Sequence, residues 1–150
     1  MDEYFMQMAI EEAKKAYEMG EVPVGAVLVR DGEVVARAHN LVELKRDASA
    51  HAELLCLSEA ASLLNNWRLL KTILYCTLEP CAMCAGAMLL SRVETLVWGA
   101  PDMRHGAHGS WVNLLDQLHP THRIAVRKGV LAEECAALMR SFFQNRRKGS

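Results

Sequence analysis

Apolar residues in the first twenty positions, Phe5, Met8, Ala9, Ala13 and Ala16, return every three or four residues, the period of a helix with one buried stripe. Asp2 is placed to cap that helix and Gly20 to end it. The period then shortens. Val24 to Arg30 and Glu33 to Ala38 are rich in valine and flank Asp31-Gly32, the dipeptide of two-residue hairpin turns, so two antiparallel strands are expected. Strong helix formers run from about His51 to Leu64, where Asn65-Asn66 stops them. Thr72 to Leu78 reads as a strand that leads directly into a helix over about Cys81 to Leu90, with Pro80 at its first helical position. Val93 to Gly99 reads as a buried strand and Pro101 to Gly109 as an exposed loop. Ile124 to Lys128 reads as a last strand, and Leu131 to Arg147 as a long helix with Cys135, Leu138, Met139, Phe142 and Phe143 on its apolar side.

The order α-β-β-α-β-α-β-β-α has no internal repeat and no linker, so residues 1–150 read as one domain. One mixed sheet of five strands covered by helices, a three-layer α/β domain opening on an antiparallel hairpin, fits that order. A chain of 150 residues can bury roughly 70% of its unfolded surface, so neither disulfides nor a metal are required for stability, and any metal is expected to be functional. No apolar run reaches the roughly 18 residues of a membrane span, and Met1-Asp2-Glu3-Tyr4 lacks the basic start of a secretory signal; no membrane association is expected. Five cysteines and no secretory signal point to a reducing compartment, with thiols, core residues or metal ligands.

Net charge is −1, but its distribution is uneven: residues 121–150 hold seven basic residues against two acidic ones. That asymmetry suggests an anionic partner at the C-terminal end; a solvated basic helix end is the plainer reading.

Two motifs carry chemistry. His51-Ala52-Glu53 opens one helix, and Pro80-Cys81-Ala82-Met83-Cys84 opens another. His-x-Glu arises by chance about 0.5 times in a chain of this composition, Pro-Cys-x-x-Cys only about 0.004 times. Cys81 and Cys84, three apart in a first helical turn, share a face on which free N–H groups stabilise thiolates. With His51 they make three zinc ligands, which leaves a fourth position open as in hydrolytic sites, and Glu53 is free to move protons. Residues two apart in a regular helix point about 200° apart, so His51 and Glu53 must sit at an irregular first turn. A thioredoxin-like redox pair leaves the flanking Pro, the His-x-Glu and the hairpin unexplained, and a closed structural zinc wants a fourth ligand. Cys56, Cys76 and Cys135 read as core, Trp67, Trp98 and Trp111 as packing anchors, and His39, His105, His108, His119 and His122 as loop or surface residues.

His-x-Glu with Pro-Cys-x-x-Cys resembles the signature of the zinc-dependent nucleobase deaminases. Over nearly the whole chain the similarity is to the bacterial and plastid tRNA-specific adenosine deaminases. It rests on Glu21 to Val27, Asn40, Ala50 to Glu53, Thr77 to Cys81, Cys84 to Met88, Gly99-Ala100 with Asp102, Glu134 to Ala136, and Phe142-Phe143 followed by Arg146-Arg147. The resemblance implies a cytidine deaminase-like fold, one Zn²⁺ per subunit of a homodimer, and conversion of adenosine to inosine at the wobble position of a tRNA anticodon arm. It also implies that Asn40 bonds the flipped base, that Val24, Ala52 and Leu78 line its pocket, and that Asp102, Arg104, Phe143 and Arg146 meet the neighbouring nucleotides. A bacterial cytoplasm or, for a trimmed form, the plastid stroma is the expected compartment.

Ala48 stands where that family usually has Pro, which is expected to loosen the loop before His51. Two alternatives remain: a deaminase of a free base, nucleoside or nucleotide, which would not need the basic C-terminal segment, and a non-enzymatic zinc module, against which the open fourth position speaks.

Overall fold

A computed structural model describes residues 1–149, with the backbone alone for Lys148 and Gly149. The elements are α1 (Asp2–Glu18), β1 (Gly25–Arg30), β2 (Glu33–His39), α2 (Val42–Lys45), α3 (Ala52–Leu64), β3 (Thr72–Leu78), α4 (Ala82–Leu90), β4 (Thr95–Ala100), β5 (Ala125–Lys128) and α5 (Ala132–Gly149). The sheet order is β2-β1-β3-β4-β5. β1 is antiparallel to both β2 and β3, whereas β3, β4 and β5 are mutually parallel neighbours. This is the expected mixed five-stranded sheet.

Burial on both faces explains the near-continuous apolar runs of β1, β3 and β4. Alternate side chains Val27, Val29, Tyr75 and Val97 pack with Phe5, Met6, Ala9 and Ile10 of α1 and Cys135 of α5. Leu28, Leu74, Cys76, Leu96 and Trp98 face the other way, against Cys56, Leu57 and Ala60 of α3 and Met88 of α4. Two glycines permit the close approach: a Cβ on Gly25 would stand 2.0 Å from the Ala9 carbonyl oxygen, and one on Gly99 would stand 2.6 Å from Cys135 Sγ. At the hairpin, Asp31 and Gly32 both have positive φ, 53° and 76°, as a type I′ turn requires.

The strand directions place the site. β1 starts, and β2, β3 and β4 end, at one end of the sheet, where Gly25 pairs with His39 and Leu78 with Ala100. α3 and α4 start at that same end, so their first turns point at one spot.

Several expectations need correction. Asp2 does not cap α1; Met1 does. The Asp2 carboxylate instead accepts from Arg127 Nε (2.7 Å) and Nη2 (3.0 Å) and from the Tyr75 hydroxyl (2.9 Å). Pro80 lies one residue before the Cys81 cap of α4, not inside the helix. α2 was not anticipated. The Pro101 to Gly109 segment is not simply exposed, since Gly106 and Ala107 are buried. Trp67 and Trp111 are mostly exposed; only Trp98 is a buried anchor. The Ala48 loop is held without a proline, because Asp47 Oδ1 accepts from both the N–H (2.8 Å) and the hydroxyl (2.7 Å) of Ser49.

The Asp2 bonds imply a pH dependence. The hydrogen bond from Arg127 lowers the Asp2 pKa in spite of partial burial. Its contribution is therefore complete above the ordinary value of about 3.9 and is lost as pH falls through the lower folded value. Asp2→Asn is expected to cost about 1 kcal/mol at pH 7, a small figure because Arg127 is half exposed to screening solvent. Urea unfolding should show the two proteins converging as pH falls through that lower value.

Candidate active site

His51 and Cys81 occupy equivalent places, the cap residues of α3 and α4, with extended backbones (φ −76°, ψ 148° and φ −75°, ψ 173°). Their side chains project off the helix ends and do not follow the helical sweep. That removes the 200° conflict: Glu53 is the second helical residue of α3, while His51 is not helical. Asp47, Ala50 and Leu41 hold the approach, through Ala50 N–H to the Asp47 carbonyl (3.1 Å) and Leu41 N–H to the Ala50 carbonyl (3.0 Å). Cys84 lies one turn into α4 and is buried.

His51 Nδ1 stands 3.6 Å from Cys81 Sγ and 3.5 Å from Cys84 Sγ. The donor atoms of these three residues all lie within 4.8 Å of one another. Tetrahedral zinc with Zn–N and Zn–S bonds of ordinary length sets its N and S ligands about 3.6 Å apart, so the set fits. Among the described residues no other His, Cys, Asp or Glu completes a closed four-ligand cage. The Cys84 thiol donates to Cys81, and with His51 it draws the Cys81 pKa down to about 4; that donation and burial push Cys84 up. The Cys81 hydrogen bond in turn raises the His51 pKa. Glu53 is 4% exposed, and burial raises its pKa; its own backbone N–H, the His51 charge and the Cys84 thiol offset this in part.

Above this cluster opens a cleft of about 1280 Å³, larger than the roughly 300–1,000 Å³ of small-molecule pockets. Val24, Asn40, Ala52, Leu78 and Glu53 line it together with His51 and Cys81. Asp102, Arg104, Phe143 and Arg146 line it as well, so the cleft brings together the anticipated site residues other than Cys84, which is buried beneath it. Asn40 is held in place: its Nδ2 donates to the Val22 carbonyl (3.3 Å) and its Oδ1 accepts from Val42 N–H (3.4 Å). Asp102 Oδ1 is engaged with the N–H groups of Arg104 and His105 (3.2 and 3.3 Å). On α5, Phe142 is buried and Phe143 is turned to the cleft, while Arg146 lies over the Phe142 ring. The Lys148 side chain lies outside the described residues.

Two buried carboxylates escaped the sequence reading. Glu21 accepts from Glu43 and Leu44 N–H (2.9 and 2.7 Å) and so caps α2 at the cleft edge. Glu79 gathers the segment after β4, by contacts described below. Both lie inside the quoted motifs, Glu21-Val22-Pro23 and Leu78-Glu79-Pro80, which was the available signal.

The family described as the cytidine and deoxycytidylate deaminase zinc-binding region matches residues 1–100, which hold the whole donor set. The chain belongs to this deaminase family. Within it, the tRNA-specific adenosine deaminase of Bacillus subtilis is 53% identical over 98% of this chain and 91% of its own length. The chloroplastic tRNA(adenine(34)) deaminase of Arabidopsis thaliana is 52% identical over 97% of this chain, which spans only 12% of that longer protein. Among solved deaminases, a structure from a study of A-to-I editing by tRNA:A34 deaminases matches with a TM-score of 0.86 and 41% identity over 90% of this chain and 98% of its own. A guanine deaminase from Nitrosomonas europaea matches with a TM-score of 0.82 and 28% identity over 93% and 83%.

Proposed function

We propose that the protein deaminates adenosine to inosine by hydrolysis at the wobble position of a tRNA anticodon. What carries this reading is the union of one hydrolytic set, His51, Glu53, Cys81 and Cys84, with a cleft too large for a base alone. The similarity to tRNA deaminases from bacteria and a chloroplast supports it.

His51, Cys81 and Cys84 hold zinc, which when bound supplies a Lewis acid that makes water acidic enough to ionise near neutral pH. The Glu53 carboxylate takes the proton released by the attacking water and delivers it to the ring nitrogen and then to the departing amino group. The C6–N bond breaks, ammonia leaves and the oxygen stays on C6. Val24, Ala52 and Leu78 enclose the flipped base and exclude bulk water, and Asn40, fixed by Val22 and Val42, orients it. Asp102, Arg104, Phe143 and Arg146 receive the flanking nucleotides.

A homodimer accompanies this reading. Met83 and Leu90 on the outer face of α4 are 41% and 64% exposed, and a Cβ on Gly86 between them would meet only open space. Such a stripe suits a second copy of the chain. Both bacterial and chloroplastic relatives exist, so the cytoplasm and the plastid stroma are the two compartments proposed.

The test is turnover of an anticodon-arm RNA against free adenine and guanine, with binding measured across salt. The RNA alone is expected to react. Replacing Arg146, Arg147 and Lys148 by Ala should flatten the log–log salt slope by up to about two, at about 0.7 per single-strand phosphate contact, with zinc content unchanged. Turnover of free guanine with identical slopes would overturn the proposal in favour of a small-molecule deaminase like the Nitrosomonas protein.

A further inference from the structure

Glu79 follows β3 directly, is 1% exposed, and has no part in the chemistry above. Every donor given to its carboxylate comes from one segment, 102–110. Oε1 accepts from Asp102 N–H (3.1 Å) and from the Ser110 hydroxyl. Oε2 accepts from His108 N–H (2.8 Å) and Ser110 N–H (3.2 Å). Gly106 lies so close that a Cβ there would stand 2.2 Å from the carboxyl carbon. The segment has a second fastening, since the Trp98 indole N–H donates to His108 Nδ1 (3.1 Å) and His108 Nε2 meets Asp116 (3.1 Å). It is also pinned beside the donor set, through Ala107 N–H to the Pro80 carbonyl (2.8 Å).

This segment and the residue after it present Asp102, Arg104, His105 and Trp111 to the cleft. A short stretch with Gly106 and Gly109 has little stiffness of its own, so its shape depends on what it folds around. Only an ionised carboxylate can do this. It offers acceptors in every direction, whereas the amide of a glutamine would turn its –NH₂ either on Asp102 N–H and the Ser110 hydroxyl or on the N–H groups of His108 and Ser110. Aspartate, one methylene shorter, would not reach both sides of the loop.

We propose that Glu79 is a positioning residue for the substrate: as the anion around which 102–110 folds, it sets how the nucleotides beside the target base are held and leaves the chemical step untouched. This rests on the tRNA reading above. Misplacing a binding wall weakens the grip on flanking nucleotides without altering the acid–base set, so the effect falls on KM.

The experiment compares zinc-loaded wild type, Glu79→Gln and Glu79→Asp on an anticodon-arm RNA, with zinc analysis and amide hydrogen exchange. KM is expected to rise about tenfold with kcat within about threefold. One zinc equivalent should remain, and exchange should accelerate across 102–110 but not across 82–90. Ser110→Ala, which removes a single hydroxyl donor, should raise KM about threefold and carries the same expectation if neither Glu79 variant folds. Unchanged KM and exchange would overturn the proposal. So would loss of kcat together with zinc, since Glu79 would then serve Cys81 two residues on and not the loop. Failure of the tRNA reading shows itself separately, as a wild type that ignores the RNA; the exchange arm still decides whether Glu79 holds the segment.

Discussion

Cys84→Ser is expected to strip the protein of zinc and of activity together. A hydroxyl is nearly the size of a thiol, so the buried site on α4 keeps its shape, but a neutral hydroxyl is a poor zinc ligand where a thiolate is a good one. Removing one of three donors leaves His51 Nδ1 and Cys81 Sγ, 3.6 Å apart, without a third point to close the triangle. Metal analysis of the purified variant should fall from one equivalent to near zero and turnover to background. A full equivalent in the folded variant would refute the ligand assignment.

Glu53→Ala is expected to separate what Cys84→Ser removes at once. Glu53 contributes no atom to the donor triangle, so zinc should remain at one equivalent, whereas kcat should fall by roughly 10²–10⁴-fold or more through loss of the proton carrier. Glu53→Gln keeps the shape of the side chain without its ability to accept a proton, and should be as inactive as the Ala variant. Substrate binding should survive both changes. A metal-loaded Glu53 variant with near-normal turnover would remove the residue from the mechanism.

Local signals were legible wherever the chain itself decides the outcome. Asp31-Gly32 announced the hairpin because both residues tolerate positive φ, and the donor set was legible because three reactive side chains fall at two helix starts. Elements whose cause is distant were not. α2 is four residues long and is capped by Glu21, about twenty positions earlier, so nothing in Val42-Glu43-Leu44-Lys45 reveals it. Asp2 looked like a cap because of its neighbours, but Arg127 and Tyr75, brought near by the sheet, compete for its carboxylate and take it. The segment after β4 read as exposed because glycine and proline mark turns; Gly106 and Ala107 are buried where it wraps Glu79, the residue after β3, and is tied to Trp98. Trp67 was misread for a converse reason: Arg68 and Arg92 stack on its exposed ring, an environment that composition does not display.

The last helix is docked on the first. Tyr17 bonds the Ser141 hydroxyl (2.9 Å) and meets the Phe142 ring edge-on, Gln7 reaches Glu134, and Arg146 bonds the Gly20 carbonyl. Phe143 and Arg146, on that helix, are synthesised about sixty residues after Cys84, the last of the three metal donors. At about 5–20 residues per second, several seconds separate the two events. The wall of the cleft that carries Phe143 and Arg146 is thus made after the donor set, and it closes only when α5 docks on α1.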